Sequence, residues 1–173
     1  MKYANFKTPE TKRLVFKHTD MEDVALVFAL RSSPVVRKYI MQPLATKQEE
    51  AVNHINKLIH YLNEDISIAW TLVNKNSKEK LGSICLWNFS EDRKTAEVGY
   101  DLLPEHFRKG YMSEALQAVV QFGFKTLNLK TIEAFTHVEN ESSIKLLVNN
   151  NFVFQPERKD PGFPKNRIYT INS

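Results

Sequence analysis

The sequence predicts an α+β fold: a mixed, mostly antiparallel twisted sheet of about seven strands with about four helices on its faces. Three observations predict it. Apolar residues recur with period two in some segments and with helical spacing in others, so both element types are present. Residues 66–73, 81–89 and 95–102 are strand-like and are joined by short polar turns, the pattern of an antiparallel meander. A strand, a helix and a strand then follow in that order, which implies a right-handed parallel crossover and makes the sheet mixed.

Taken in order, residues 13–18 read as the first strand. Asp20 stands as an N-cap before a helix over 21–31, where Val24, Val27, Phe28 and Arg31 keep helical spacing until Pro34 interrupts it. Thr46-Lys47-Gln48-Glu49 has capping-box spacing and opens a second helix, whose Val52, Ile55, Ile59 and Leu62 form an apolar stripe. After the meander, Met112, Ala115, Leu116, Val119 and Gly123 share one helical face, and 131–138 returns to strand alternation. Residues 142–150 form the last helix, with Asn150 and Asn151 suited to left-handed backbone at its end. Strands near 153–156 and 167–171 close the chain. The segment 156–165 is rich in turn residues and reads as a hairpin loop, with the border of a substrate site as the alternative.

The 173 residues, 42% of them apolar, suffice for one core and predict a single domain over 1–173. Aromatic residues at 11% speak against a disordered chain. Lys plus Arg number 24 against 20 Asp plus Glu, and the pI is about 9.1, a mild preference for anionic partners. The basic residues are scattered and no nucleic-acid motif occurs, so a phosphorylated small ligand fits this charge better than a nucleic acid. One cysteine cannot form an internal disulfide. No apolar stretch has the form of a signal peptide or a membrane span, and the expected location is the cytoplasm. Cys85 shares a period-two face with Leu81, Ser83, Trp87 and Phe89 and reads as a small buried hydrophobe. The five histidines follow no metal-ligand spacing and no G-x-S-x-G elbow occurs, so neither a metal nor a serine hydrolase is expected.

The chemistry concentrates in 96–115, where a strand ends and a short basic loop with one glycine feeds directly into a helix. The first amides of a helix lack internal partners and sit at the positive end of its dipole, which suits a diphosphate. Gly110 lets the backbone approach phosphate closely, and Arg108 and Lys109 can add charge-assisted contacts. Neither the P-loop nor the dinucleotide glycine pattern is present.

On these residues the sequence resembles the GNAT superfamily, and within it the RimJ/RimL branch. The resemblance runs through Thr11-Lys12-Arg13-Leu14, Glu97-Val98-Gly99-Tyr100, the segment Arg108 to Ala115, and Asn140-Glu141-Ser142-Ser143-Ile144-Lys145-Leu146-Leu147. It covers nearly the whole chain. What it implies is a V-shaped opening between the fourth and fifth strands that receives the pantetheine arm of acetyl-CoA, paired with backbone near Leu102 and Leu103. Amides of Arg108, Lys109, Gly110, Tyr111, Met112 and Ser113 would hold the diphosphate, Asn140 would contact the pantetheine, and Ser143 would sit near the thioester sulfur. Asn140 reads equally as a helix N-cap. Phe107 and Met112 depart from the superfamily's usual loop. Leu147 stands where many relatives carry a tyrosine acid, which leaves Ser143 or a water to protonate the thiolate.

The resemblance implies direct attack of a primary amine on the thioester, which requires the amine to be neutral. Alternation puts Glu97 on the strand face opposite Val98 and Tyr100, and it is the leading base candidate, with Glu133 and His137 next. A lysine amine costs about 4.6 kcal/mol to deprotonate at pH 7 and an α-amine only about 1 to 1.4 kcal/mol. An N-terminal amine therefore demands less of the enzyme, and a protein N-terminus is the first acceptor candidate, though the sequence does not separate it from other amines. A small amine such as an antibiotic or polyamine is the alternative, and a noncatalytic acyl-CoA-binding module the competing class. The expected assembly is a monomer or homodimer.

Overall fold

The computed structural model describes residues 2–173. Its sheet has seven strands in the order β1-β2-β3-β4-β5-β7-β6. The elements are β1 (Leu14–His18), α1 (Val24–Ser32), α2 (Gln48–Asn63), β2 (Ile68–Asn74), β3 (Lys80–Trp87), β4 (Thr95–Leu102), α3 (Tyr111–Lys125), β5 (Thr131–His137), α4 (Glu141–Asn149), β6 (Val153–Phe154) and β7 (Asn166–Asn172). Every neighbouring pair is antiparallel except β4 and β5. The predicted mixed α+β sheet with four helices is the observed one.

The meander turns are built by short polar side chains. Asn74 Oδ1 accepts from the backbone N–H of Asn76 at 2.9 Å and of Ser77 at 3.1 Å, and Lys78 takes a left-handed φ of 62° to close the β2–β3 turn. In the β3–β4 turn Asp92 Oδ1 accepts from Lys94 N–H at 3.0 Å.

One face of the sheet packs against α3 and α4. Phe16, Trp70, Leu72, Ile84, Leu86 and Val98 meet Leu116, Val119 and Phe122 of α3 and Leu147 of α4 in one apolar cluster. Trp70 is fully buried, edge-on to Phe16 and Phe122 at 6.3 and 5.4 Å between ring centroids. The other face carries α1 and α2, which pack together through Val27, Ala51 and Ile55. Asp23, fully buried, ties this layer to the sheet. Its carboxylate pairs with Lys80 at 2.5 Å and Lys17 at 3.8 Å and accepts from the Thr71 hydroxyl at 2.9 Å.

Three local expectations need correction. The helix after Asp20 begins as a 3-10 turn over Met21–Asp23 and becomes α-helical only at Val24, because Asp20 caps Glu22 N–H at 2.9 Å. At α2 the residue that reaches back is Glu50, not Glu49: it accepts from the N–H of Thr46 and Lys47 at 2.8 and 3.0 Å. The helix starts one residue later than the spacing suggests. At the end of α4 only Asn151 is left-handed, with φ 64°; Asn150 instead buries its side chain between α3 and α4.

β4 and β5 are paired only at Thr95↔Thr131, Ala96↔Ile132 and Glu97↔Glu133. Beyond Glu97 the two strands part, although β4 runs on to Leu102 and β5 to His137. The unpaired edge of β4 over 98–102 is about 17 Å long at the usual rise per residue.

Candidate active site

The wide end of this V meets the loop that starts α3. Pro104–His106 form one 3-10 turn, and residues 107–110 are exposed. Arg108 and Gly110 both adopt left-handed backbone, with φ 59° and 76°, and Gly110 is the N-cap of α3. The helix's opening bond runs from Glu114 N–H to the Gly110 carbonyl at 3.2 Å. The amides of Tyr111, Met112 and Ser113 therefore have no upstream carbonyl in the helix and stand at its positive end. Met112 buries its side chain in the core and so anchors this first turn. The Ser113 hydroxyl is committed to Asn150, 3.2 Å to Oδ1 and 3.0 Å from Nδ2, so its amide is the group that remains for a ligand.

Along the open edge of β4, backbone groups alternate in direction. Leu103 N–H donates to Leu81 O at 2.9 Å, toward β3. The Leu102 and Tyr100 amides accordingly point the other way, into the V, and the Leu103 amide does not.

Glu97 stands at the apex, on the face away from α3. It is half-buried, and its pKa is pushed up to about 7, chiefly by burial. Asn88 Nδ2, at 3.5 Å, opposes that rise, while the negative charges of Asp160 and Glu133 add to it. Asp160 belongs to the 156–165 loop, which thus borders this face. Its neighbour Arg158 holds Glu133 in a bidentate pair at 2.5 and 3.0 Å. His137 stacks on Tyr39 at 5.3 Å between ring centroids, and its Nδ1 accepts from Glu139 N–H at 3.1 Å. Of the base candidates, Glu133 and His137 are already engaged, whereas Glu97 has only a long contact. Asp101 lies on the same face, accepts from the Ser83 hydroxyl at 2.6 Å, and has its pKa raised by burial against the pull of Arg37.

On the α4 side Asn140 is the N-cap: its Oδ1 accepts from Ser143 N–H at 3.2 Å, which leaves its NH₂ end for other partners. The Ser143 hydroxyl is 2.8 Å from the Tyr100 hydroxyl. Burial pushes Tyr100 up to about 12, so it stays protonated at neutral pH. Leu147 is wholly buried in the core. Burial also pushes the Cys85 thiol up to about 12, although its face is less covered than that of Ile84 and Leu86. Among the described residues no helix is long and apolar enough to cross a membrane.

Residues 13–153 match the acetyltransferase (GNAT) domain. The chain belongs to the GNAT acetyltransferase family. As a member it is an acyltransferase, and a relative of the same kind is the uncharacterised N-acetyltransferase YoaA of Bacillus subtilis (strain 168). That protein is 31% identical over 147 residues, which cover 85% of this chain and 83% of YoaA. The GNAT fold also aligns with the ribosomal L7/L12 alpha-N-protein acetyltransferase RimL, solved in complex with coenzyme A. The TM-score is 0.82 at 19% identity, over 95% of this chain and 97% of RimL. Spermidine N-acetyltransferase from Vibrio cholerae, in complex with CoA and spermine, aligns with a TM-score of 0.81 at 18% identity, over 94% and 96% of the two chains. These two likenesses attest the fold.

Within this GNAT chain the structure gathers the loop residues Arg108 to Ser113, the Leu102 amide, Asn140, Ser143 and Glu97 around the V, and turns the Leu103 amide out of it. Sequence reasoning missed three participants. Sequence pattern places Arg13 only at the opening of a strand, yet its side chain reaches the α3 loop. Periodicity puts Tyr100 on a strand face but does not reveal its partner on α4, nor that the 156–165 loop brings Asp160 near Glu97. Each is joined to its partner by more than forty residues of chain or by a face shared across elements, which local periodicity does not reveal.

Proposed function

We propose that this acetyltransferase moves an acetyl group from acetyl-CoA onto a primary amine by direct attack in a ternary complex, and that a protein N-terminal α-amine is the acceptor class its base suits best. The observation that carries this reading is Glu97: a carboxylate that titrates near neutrality, at the point where β4 and β5 part.

The residues present fit acetyl-CoA. The amides of Gly110 to Ser113 offer a diphosphate cradle flanked by Arg108 and Lys109. The inward amides of Tyr100 and Leu102 offer ladder partners for the pantetheine arm, with the Asn140 NH₂ group beside it. When bound, acetyl-CoA supplies the activated acyl thioester.

Glu97 takes the proton from the incoming ammonium. With a base at about pH 7, that transfer runs uphill by about 1 kcal/mol from an α-amine and about 4.6 kcal/mol from a lysine side chain, which favours the α-amine. Inward-facing β4 amides polarise the carbonyl to be attacked. Ser143, supported by Tyr100, presents a hydroxyl proton to the departing sulfur in place of the tyrosine that Leu147 replaces. Support for the RimJ/RimL branch comes from the four quoted segments and from the RimL fold, and we read residues 1–173 as one domain.

A screen of N-terminal peptides, polyamines and aminoglycoside-type amines, followed by release of free CoA thiol, tests the proposal. Peptides should be acetylated on their α-amine. Turnover confined to polyamines would move the acceptor assignment to small amines, and no thiol release from any amine would favour a noncatalytic module.

A further inference from the structure

Arg13 precedes β1 and is far in sequence from the α3 loop, yet it contacts that loop at several points. Its Nη1 donates to the Lys109 carbonyl at 2.9 Å. Its Nε donates to Glu114 Oε2 at 2.6 Å. The guanidinium carbon lies 4.5 Å from the centroid of the Tyr111 ring. The other carboxylate oxygen of Glu114 accepts from the Arg13 backbone N–H at 2.9 Å and from the Thr11 hydroxyl. Tyr111 is held at its far end by Asn74 Nδ2, 3.1 Å from the phenol oxygen.

The contact to Lys109 has a directional consequence. A trans peptide is planar, with its C=O and the following N–H pointing in opposite directions, and no peptide among the described residues is cis. With the Lys109 oxygen aimed at Arg13, the Gly110 N–H points away from the guanidinium, and it donates to no group among the described residues. Nothing local enforces that orientation. Gly110 has no Cβ to resist rotation of the plane, and the left-handed Arg108 before it is itself strained. The left-handed φ of 76° at Gly110 is what calls for glycine there; a Cβ would meet Arg13 Nη2 at 3.4 Å, an ordinary contact.

We infer that Arg13 is a positioning residue: it fixes the Lys109–Gly110 peptide plane so that the Gly110 N–H joins the anion-binding amides that open α3. The inference rests on the diphosphate reading above. The planar fork of arginine can bridge a carbonyl, a carboxylate and an aromatic face at once, and a lysine ammonium cannot.

The test is calorimetric binding of CoA and of pantetheine, which has no diphosphate, to wild type, Arg13→Ala, Arg13→Lys and Glu114→Gln, with melting curves to establish folding. Arg13→Ala should bind CoA about tenfold more weakly, the scale of one charge-assisted contact. The ratio of CoA to pantetheine affinity should shrink with it, and KM for acetyl-CoA should rise more than kcat falls. The Gly110 amide resonance, which CoA should shift in wild type, should no longer respond. Arg13→Lys should stay weak, and Glu114→Gln, which keeps the arginine but loosens it, should fall between; both serve if Arg13→Ala does not fold. An equal loss for CoA and pantetheine would reduce Arg13 to a general support, and full affinity in Arg13→Lys would show that charge alone suffices. Either overturns the inference. Wild type that binds no CoA would overturn the diphosphate reading as well, whereas tight wild-type binding matched by Arg13→Ala overturns this inference alone.

Discussion

Replacing Glu97 by glutamine keeps the side chain's shape and removes its charge, and it should move activity and stability in opposite directions. Glu97 is raised from 4.5 to about 7, so at pH 6 only about a tenth of it is ionised, and wild-type kcat/KM should fall about tenfold per pH unit below 7. Glu97→Gln should lower kcat by about a hundredfold or more above pH 7 and abolish that inflection, leaving CoA affinity almost intact. The linkage runs the other way. A carboxylate whose pKa is higher in the folded state binds more protons there than when unfolded, so folding loses stability as pH rises from about 4.5 through about 7. The full shift would amount to about 3 kcal/mol, but the group keeps contact with solvent and screening reduces this to about 1 kcal/mol. At pH 8 Glu97→Gln should therefore melt about 2 to 4 °C above wild type, and at pH 4 the two should coincide. The assays are thiol release from pH 5 to 9 and thermal melts from pH 4 to 9. A variant that melts lower at pH 8, or an inflection near 7 that survives the substitution, would refute the assignment of Glu97 as base.

Three further outcomes follow from the same geometry. Acetyl-CoA at a hundred times its Kd should stabilise the protein by about 2.7 kcal/mol and raise Tm by several degrees in a thermal shift assay; no shift at such excess speaks against the cosubstrate. Ser143→Ala should lower kcat about tenfold with KM for acetyl-CoA little changed, and Tyr100→Phe should do the same to a smaller degree, as steady-state kinetics will show. Asp23→Ala should cost about 3 kcal/mol in urea unfolding, since it strands Lys80 and Thr71 against a buried site.

The fold was legible in the sequence because its elements are long and strongly periodic. The face Met112, Ala115, Leu116, Val119 and Gly123 is buried as its spacing requires, and the strand–helix–strand order leaves little topological choice. Element ends were less legible. Thr46 and Glu49 have capping-box spacing, but Lys47 and Glu50 have the same spacing, and it is Glu50 that reaches the amides, so spacing alone leaves the helix start ambiguous by one residue.

The two halves of the site differ in the same way, for a physical reason. The proposed donor half is mostly consecutive backbone: the β4 edge, a left-handed glycine and the first amides of a helix, all within 98–113, with Asn140 and Ser143 added from α4. A contiguous segment announces such groups, though not the distant Arg13 that contacts them. The acceptor half is an electrostatic property of side chains drawn from separate elements. Glu97 is an ordinary exposed-strand carboxylate by pattern; it acquires a neutral-range pKa chiefly because the fold buries it, and the charges of Asp160 from the 156–165 loop and Glu133 from β5 add to the rise. No spacing rule encodes a pKa that three elements set together. If Glu97 is the base proposed above, a substitution at Asp160 should lower its pKa by removing one neighbouring negative charge, and it should do so without touching the proposed diphosphate cradle, so amine preference could vary while that cradle stays fixed.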